Sequence, residues 1–347
     1  MHRRSVPSPT RRRGLTLAAA VCAASLSLAA CGSGSDAAGS EDGTYRIAVM
    51  IASAGNGFNA AVLEGAEAAA AELGNVEISS YDGQFDSDEQ FAQIQNIATS
   101  GDFDGIVVVP NDGVSLTGAF PLASPLPVVT LLNPVGPDIS DMEPQVEEVV
   151  QTIAQPPADP ATKQAEEVVD HCADIDPCKV AIMVGQLNTA LDVERADAYN
   201  AVLEGHDNIQ VVATVEGKYD RDASLTAMTN VLQANPDLDA VLSNADQQTF
   251  GAEVAFENAG IDPSTVHLSG GGGTQEAVTA VREGRWKWDY LNFPVSMGSQ
   301  GVKSLVEHLD GTEVPTYIDM NTVSDVEAFA TKETLDASPD FTGEWNG

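Results

Sequence analysis

Polar and aromatic side chains gather at a few points of this chain, each just after an apolar run. Asn56, Phe58 and Asn59 follow residues 47–51; Asp112 follows 105–109; Asn133 follows 127–132; Gln186 and Asn188 follow 180–184. These residue types suit noncovalent recognition. Amides donate and accept, a carboxylate accepts from two hydroxyls, and a phenyl ring lies beneath C–H groups. The guanidinium of Arg195 forks across neighbouring oxygens and keeps its charge. Each polar partner must be satisfied once water leaves. Plainer roles compete: Phe58 as a core anchor, Asp112 as a turn or helix cap, Arg195 in a surface ion pair with Glu194 or Asp192. Bond-breaking chemistry has less to stand on. The five histidines are scattered, and no Gly-x-Ser-x-Gly elbow, zinc-ligand pair or Ser/His/Asp group is evident. The run Gly270-Gly271-Gly272-Gly273-Thr274 allows close backbone approach but lacks the Lys-Ser/Thr ending of a phosphate loop. The chain therefore reads as a binder and not an enzyme, with no cofactor.

The elements that carry these residues follow from the apolar pattern. Residues 47–51 form a strand. An Ala-rich helix spans 58–73, stopped by Gly74, and a second strand covers 76–80. An amphipathic helix covers 88–99, and apolar strands cover 105–109 and 127–132. Continuous apolar strands alternating with helices predict a parallel sheet covered on both faces. The pattern then recurs, with residues 180–184 echoing the first strand. Gly83-Gln84-Phe85-Asp86-Ser87-Asp88 matches Gly217-Lys218-Tyr219-Asp220-Arg221-Asp222. The chain reads as one α/β unit written twice. Ligands of open parallel sheets sit off the carboxyl ends of the strands, so two such sheets define a cleft. Trp286 and Trp288 flank Lys287 in a strand-like run at 285–293, where alternation puts both indoles on one face, for packing or for contact with a membrane partner.

The first 30 residues carry Arg3, Arg4, Arg11, Arg12 and Arg13, then an uncharged apolar run from Leu15 to Ala30. This is the layout of a secretory leader, and the run is short for a bilayer span. Leu28-Ala29-Ala30-Cys31 resembles the lipobox of bacterial lipoproteins, which implies lipidation of Cys31 and a place outside the cytoplasm, anchored to the membrane. Residues 31–44 are Gly/Ser-rich and read as a flexible tether. The leader holds five of the 16 basic residues and none of the 52 acidic ones, which leaves a formal charge of −41 on the remainder. Such a field repels phosphate backbones and excludes nucleic acid as a partner. Cys172 and Cys178 remain as an even pair in an oxidising compartment, which favours a disulfide over a metal site completed by His171.

Taken together, residues 47–74, the stretch from Asp104 to Asp112, Pro127 to Thr130, the helix start Arg195-Ala196-Asp197-Ala198-Tyr199, Tyr219 to Asp222 and Gly270 to Thr274 resemble the ribose-type periplasmic binding proteins. The resemblance implies two Rossmann-like lobes with parallel sheets joined by a three-crossover hinge, the type I periplasmic binding protein fold. It places 45–133 and 293–321 in lobe 1, and 134–292 and 322–347 in lobe 2. It implies the monomeric solute-binding component of an ABC importer, which takes a monosaccharide or related polyol and delivers it to a membrane permease. A nucleoside, a signal molecule or a sensing role are the alternatives. The implied ligand set is Asn56, Phe58, Asn59, Asp112, Asn133, Gln186, Asn188, Arg195, Tyr219, Asn244, Asp246, Gly272 and Asn292. Phe85 is the repeat counterpart of Tyr219. Three departures stand out. Ala245 replaces an Asn before Asp246, a carboxylate is missing at Gly272, and Asn292 stands where Gln is expected.

Overall fold

The computed structural model describes residues 43–347. The leader, Cys31 and all but the end of the tether lie outside the described residues. The first part of the chain runs β1 (Tyr45–Ile51), α1 (Gly57–Leu73), β2 (Val76–Asp82), α2 (Ser87–Ser100), β3 (Gly105–Val108), β4 (Val128–Leu132) and β5 (Val149–Ala154). The second runs α3 (Ala158–His171), β6 (Cys178–Val184), α4 (Ala190–Leu203), β7 (Ile209–Glu216), α5 (Arg221–Ala234), β8 (Ala240–Ser243), α6 (Asp246–Asn258), β9 (His267–Leu268), β10 (Gly270–Gly272), α7 (Gln275–Glu283) and β11 (Trp288–Leu291). The chain closes with α8 (Pro294–Leu309), β12 (Tyr317–Asp319), β13 (Phe329–Thr331) and α9 (Lys332–Ala337).

Six parallel strands form the first sheet, in the order β12-β5-β4-β3-β1-β2. The second lobe repeats the order as β7-β6-β8-β9 and continues, past a break at Ser269, as β10-β11-β13. Its last strand is antiparallel. The central strands β1, β3, β4, β6 and β8 are buried on two faces, as their unbroken apolar runs require. In β1, Ile47, Val49 and Ile51 enter the core beneath α1 and α8, whereas Ala48 and Met50 enter the core beneath α2. In β6, Ala181 and Met183 face one core, and Val180, Ile182 and Val184 the other. Each such Val, Ile or Met contributes about 1.5–3 kcal/mol by leaving water. Helix α1 lies unusually close to α8. A Cβ on Gly65 would come within 1.9 Å of the Val295 carbonyl oxygen, so glycine there sets the spacing.

The duplicated turns are duplicated in geometry too. Gln84 and Phe85 have φ of 53° and 54°, and Lys218 and Tyr219 have φ of 58° and 55°. Asp86 and Asp220 then cap α2 and α5, accepting from Asp88 N at 2.8 Å and from Ala223 N at 2.7 Å.

The first crossing falls later than the sequence suggests. β5 pairs with β4 inside the first sheet, so residues 134–154 stay in lobe 1, and the chain leaves only after Ala154. The polar pair Gln151-Thr152 hides this strand in the sequence, yet both side chains are buried, and Gln151 Nε2 donates to Pro315 O at 2.8 Å. The second crossing is at 292–293 and the third lies between β12 and β13. One knot ties all three. Gln155 Oε1 accepts from Tyr290 OH at 2.9 Å and from Asn321 Nδ2 at 2.8 Å. Trp286 and Trp288 are both core residues but pack on different partners, Phe250 at 4.4 Å and Phe329 at 4.9 Å, because Trp286 precedes the strand. Cys172 and Cys178 are joined in a disulfide. Among the described residues no helix is long and apolar enough to cross a membrane.

Candidate ligand-binding cleft

A cavity lies between the carboxyl ends of the two sheets. Its lining atoms bound about 650 Å³ of empty space, the open end included. Its lining comes from both lobes, the usual setting of a small-molecule site. The lobes already meet across it. Asn56 Nδ2 donates to Tyr219 O at 3.4 Å, and the rings of Phe85 and Tyr219 stack at 6.0 Å.

The second lobe supplies a polar cluster. The Tyr219 hydroxyl donates to the Asp192 carboxylate, at 2.7 and 2.9 Å from its two oxygens. Arg195 Nη1 donates to Asp192 Oδ1 at 3.2 Å and to the Tyr219 oxygen at 3.1 Å. Asn244 Nδ2 donates to Asp192 Oδ1 at 3.0 Å and is itself held by Gln248 Nε2 at 2.9 Å. Gln186 N closes the set on Asp192 Oδ2 at 2.6 Å. Asp192 is thus satisfied although only 1% of its side chain is exposed. Burial, and then the Asp192 charge, push the Tyr219 phenol above its ordinary range, so it stays a donor. Burial works against the charge of Arg195, but Tyr219 and Asp192 outweigh it and the guanidinium is held more firmly than usual. Gly185 makes the cluster possible. A Cβ there would fall 2.0 Å from the Tyr219 ring and 2.6 Å from Asp192 Oδ2.

The first lobe supplies amides. Asn59 Oδ1 accepts from Ala52 N at 2.9 Å and Asn56 Oδ1 from Asn59 Nδ2 at 3.1 Å, so these two position each other as well as the wall. Asn133 Nδ2 donates to Pro110 O at 2.8 Å, and its buried Oδ1 has no protein partner among the described residues. Leu132, beside it, has φ of 68°. Among the described residues, three of the five non-glycine positions at positive φ, Phe85, Leu132 and Tyr219, line the cavity, and backbone strain of this kind tends to collect at functional sites.

Ten of the thirteen expected residues line the cavity: Asn56, Phe58, Asn59, Asn133, Gln186, Arg195, Tyr219, Asn244, Gly272 and Asn292. Three do not. Asn188 is exposed in the loop before α4. Asp112 turns aside to cap its own loop, accepting from Val114 N at 2.9 Å and Ser115 N at 3.0 Å, and reaches across to Ala190 N at 3.2 Å. It is a clasp between the lobes. Asp246 lies behind the wall. Its Oδ2 accepts from Thr274 N at 2.8 Å, and Asp289 Oδ2 nearby accepts from Gly273 N at 3.0 Å. Burial raises both pKa values, Asp289 to well above the carboxylate range with the Asp246 charge adding to it. Sequence reasoning weighed Asp192 only as a surface partner for Arg195 and missed Trp345 altogether. The i, i+3 spacing of Asp192 and Arg195 was the available signal. Nothing in the local pattern marks Trp345.

Two Rossmann-like lobes, three crossings between them and a cavity at their shared mouth make up the fold of a solute-binding protein. The sequence matches the periplasmic binding protein domain over residues 47–313, and the chain belongs to that family. It is 26% identical over 270 residues to the ribose import binding protein of Escherichia coli, covering 77% of this chain and 86% of that one. An ABC transporter solute-binding protein from Bacillus halodurans, solved with bound myo-inositol, has the same fold, with a TM-score of 0.73 and 24% identity, over 85% of this chain and 97% of that one. Another, from Agrobacterium vitis with bound D-fucose, gives a TM-score of 0.75 and 20% identity, over 86% and 99%.

Proposed function

We propose that this chain is the extracytoplasmic solute-binding lipoprotein of an ABC importer, anchored through Cys31, and that it takes a neutral monosaccharide or related polyol between its lobes. One observation carries the ligand class. The two charged side chains among the cavity-lining residues, Asp192 and Arg195, neutralise each other, and the remaining polar wall is amide, hydroxyl and backbone. A charged guest would leave an uncompensated charge in a closed site, whereas hydroxyls match amides and C–H faces match Phe58 and Phe85. Relatives named for ribose and xylitol, and fold neighbours holding myo-inositol and D-fucose, support the same class. The function is binding without turnover. Ligand contacts to both lobes favour closure, and the closed form delivers to the permease.

The test is a thermal-shift screen followed by calorimetry with D-ribose, D-allose, D-galactose, D-fucose, xylitol, myo-inositol and adenosine. At least one neutral sugar or polyol should raise the melting temperature and return unchanged after incubation. Binding confined to adenosine, or consumption of the ligand, would overturn the reading. Palmitate labelling in cells, abolished by Cys31→Ala, tests the anchor.

A further inference from the structure

Trp345 lies two residues before the last residue of the sequence, yet it is 4% exposed and lines the cavity. Its approach is held from both lobes. Gln275 N donates to Trp345 O at 2.9 Å in lobe 2. The adjacent Glu344 accepts from Ser296 N at 3.1 Å and from the Ser296 hydroxyl, at the start of α8 in lobe 1. The indole Nε1 donates to Gly272 O at 2.7 Å, so its polar atom is spent on the protein. The ring meets Phe58 edge-on at 5.7 Å and 83°. Two glycines, one from each lobe, make room for it. A Cβ on Gly57 would lie 3.2 Å from Cζ3, and a Cβ on Gly272 would lie 3.0 Å from Cζ2.

The indole therefore fills the space that a side chain at 272 would take. With Asn292 N at 3.3 Å it also occupies the carbonyl of Gly272. Where the sequence lacks a carboxylate, the structure puts an aromatic face with no acceptor on it. A ligand hydroxyl pressed there would lose its water without replacement, while a methyl or C–H face would not.

We infer that Trp345 is a specificity-determining contact. The C-terminal segment delivers an apolar platform to the cleft that selects a polyol presenting a C–H or methyl face at that end. This rests on the sugar-binding reading above and goes further by naming what one wall discriminates.

The experiment uses the full chain and two variants, W345A and W345F. Affinities are measured by calorimetry for D-ribose, D-allose, xylitol and myo-inositol, and for the pair D-fucose and D-galactose, which differ by one hydroxyl. Tryptophan emission is recorded in parallel, since Trp286 and Trp288 are buried elsewhere and the third indole reports the cavity. The tightest ligand should bind W345A about tenfold or more weakly, and W345F within a few-fold of the native protein. The preference for D-fucose over D-galactose, about tenfold or more in the native protein, should narrow in W345A. The ligand-dependent emission change should vanish in W345F, which keeps the aromatic packing if alanine unfolds the tail. Unchanged affinity and selectivity in both variants would overturn the inference and leave sugar binding standing. Failure of the native protein to bind any of these sugars or polyols would overturn the parent reading, and this one with it.

Discussion

Asp112 offers the sharpest test of how the two lobes hold together. It is 7% exposed, and its two oxygens do different work. Oδ1 caps the loop after β3 within lobe 1, while Oδ2 accepts from Ala190 N at the start of α4 in lobe 2. Opening the cleft breaks only the second bond. Asp112→Asn keeps one oxygen for the loop and turns an amide donor toward Ala190 N, where an acceptor is needed. A hydrogen bond to a carboxylate is worth about 1.5–3 kcal/mol, and at 3.2 Å this one belongs at the low end. A loss of about 1.4 kcal/mol from the closed state alone weakens apparent ligand affinity about tenfold, because binding must then drive closure unaided. Asp112→Ala loses the cap as well and should also lower folding stability by about 1 kcal/mol. Calorimetry reads the affinity, urea melts read the stability, and small-angle scattering reads the fraction closed. Native affinity in Asp112→Asn, with unchanged scattering, would show that this contact does not favour closure.

Further outcomes follow from the same geometry. Arg195→Ala strips the partner from a carboxylate that is 1% exposed, so it should cost about 3 kcal/mol of folding stability in urea as well as ligand affinity. A loss below about 1 kcal/mol would mean that Tyr219, Asn244 and the Gln186 amide hold Asp192 without help. The Asp246–Asp289 pair has raised folded pKa values, so its contribution is complete below about pH 4 and is lost as pH rises through the folded pKa. Asp289→Asn keeps an acceptor for Gly273 N and should flatten the fall in stability as pH rises above about 4; equal slopes in the two proteins would refute the raised folded pKa of Asp289. With a formal charge of −36, self-repulsion should make the melting temperature climb by several degrees between about 10 and 150 mM salt, and a flat response would show that the acidic residues are locally compensated.

The sheets were legible because their strands are unbroken apolar runs, and the doubling was legible because Gly83–Asp88 and Gly217–Asp222 repeat turn, cap and ring in register. β5 was not, since its middle residues are Gln151 and Thr152, whose partners come from Pro315 and Thr130 far along the chain. The cavity lining was legible where a side chain directly follows a strand, as at Asn133 and Asn244, or caps the next helix, as at Asn56. It failed where a carboxylate has two candidate roles at one position. Asp112 and Asp246 stand where loop residues reach a ligand, yet backbone amides of Ala190 and Thr274 claim them first. Such competition is decided by neighbours that local pattern does not contain. Trp345 arrives from the far end of the chain, and its place depends on two glycines more than two hundred residues apart.

Phe85 and Tyr219 are the same position of the two half-sequences, and they touch. These equivalent rings meet on the boundary of the chamber, one from each lobe. A perfectly symmetric receptor would present identical halves to a guest that has no such symmetry. Here one oxygen atom breaks the tie. The phenol of Tyr219 gathers Asp192, Arg195 and Asn244 around itself, while the bare phenyl of Phe85 gathers nothing. The two halves of the cleft therefore differ at equivalent positions: a hydroxyl-centred network stands on the lobe 2 side and has no counterpart at Phe85.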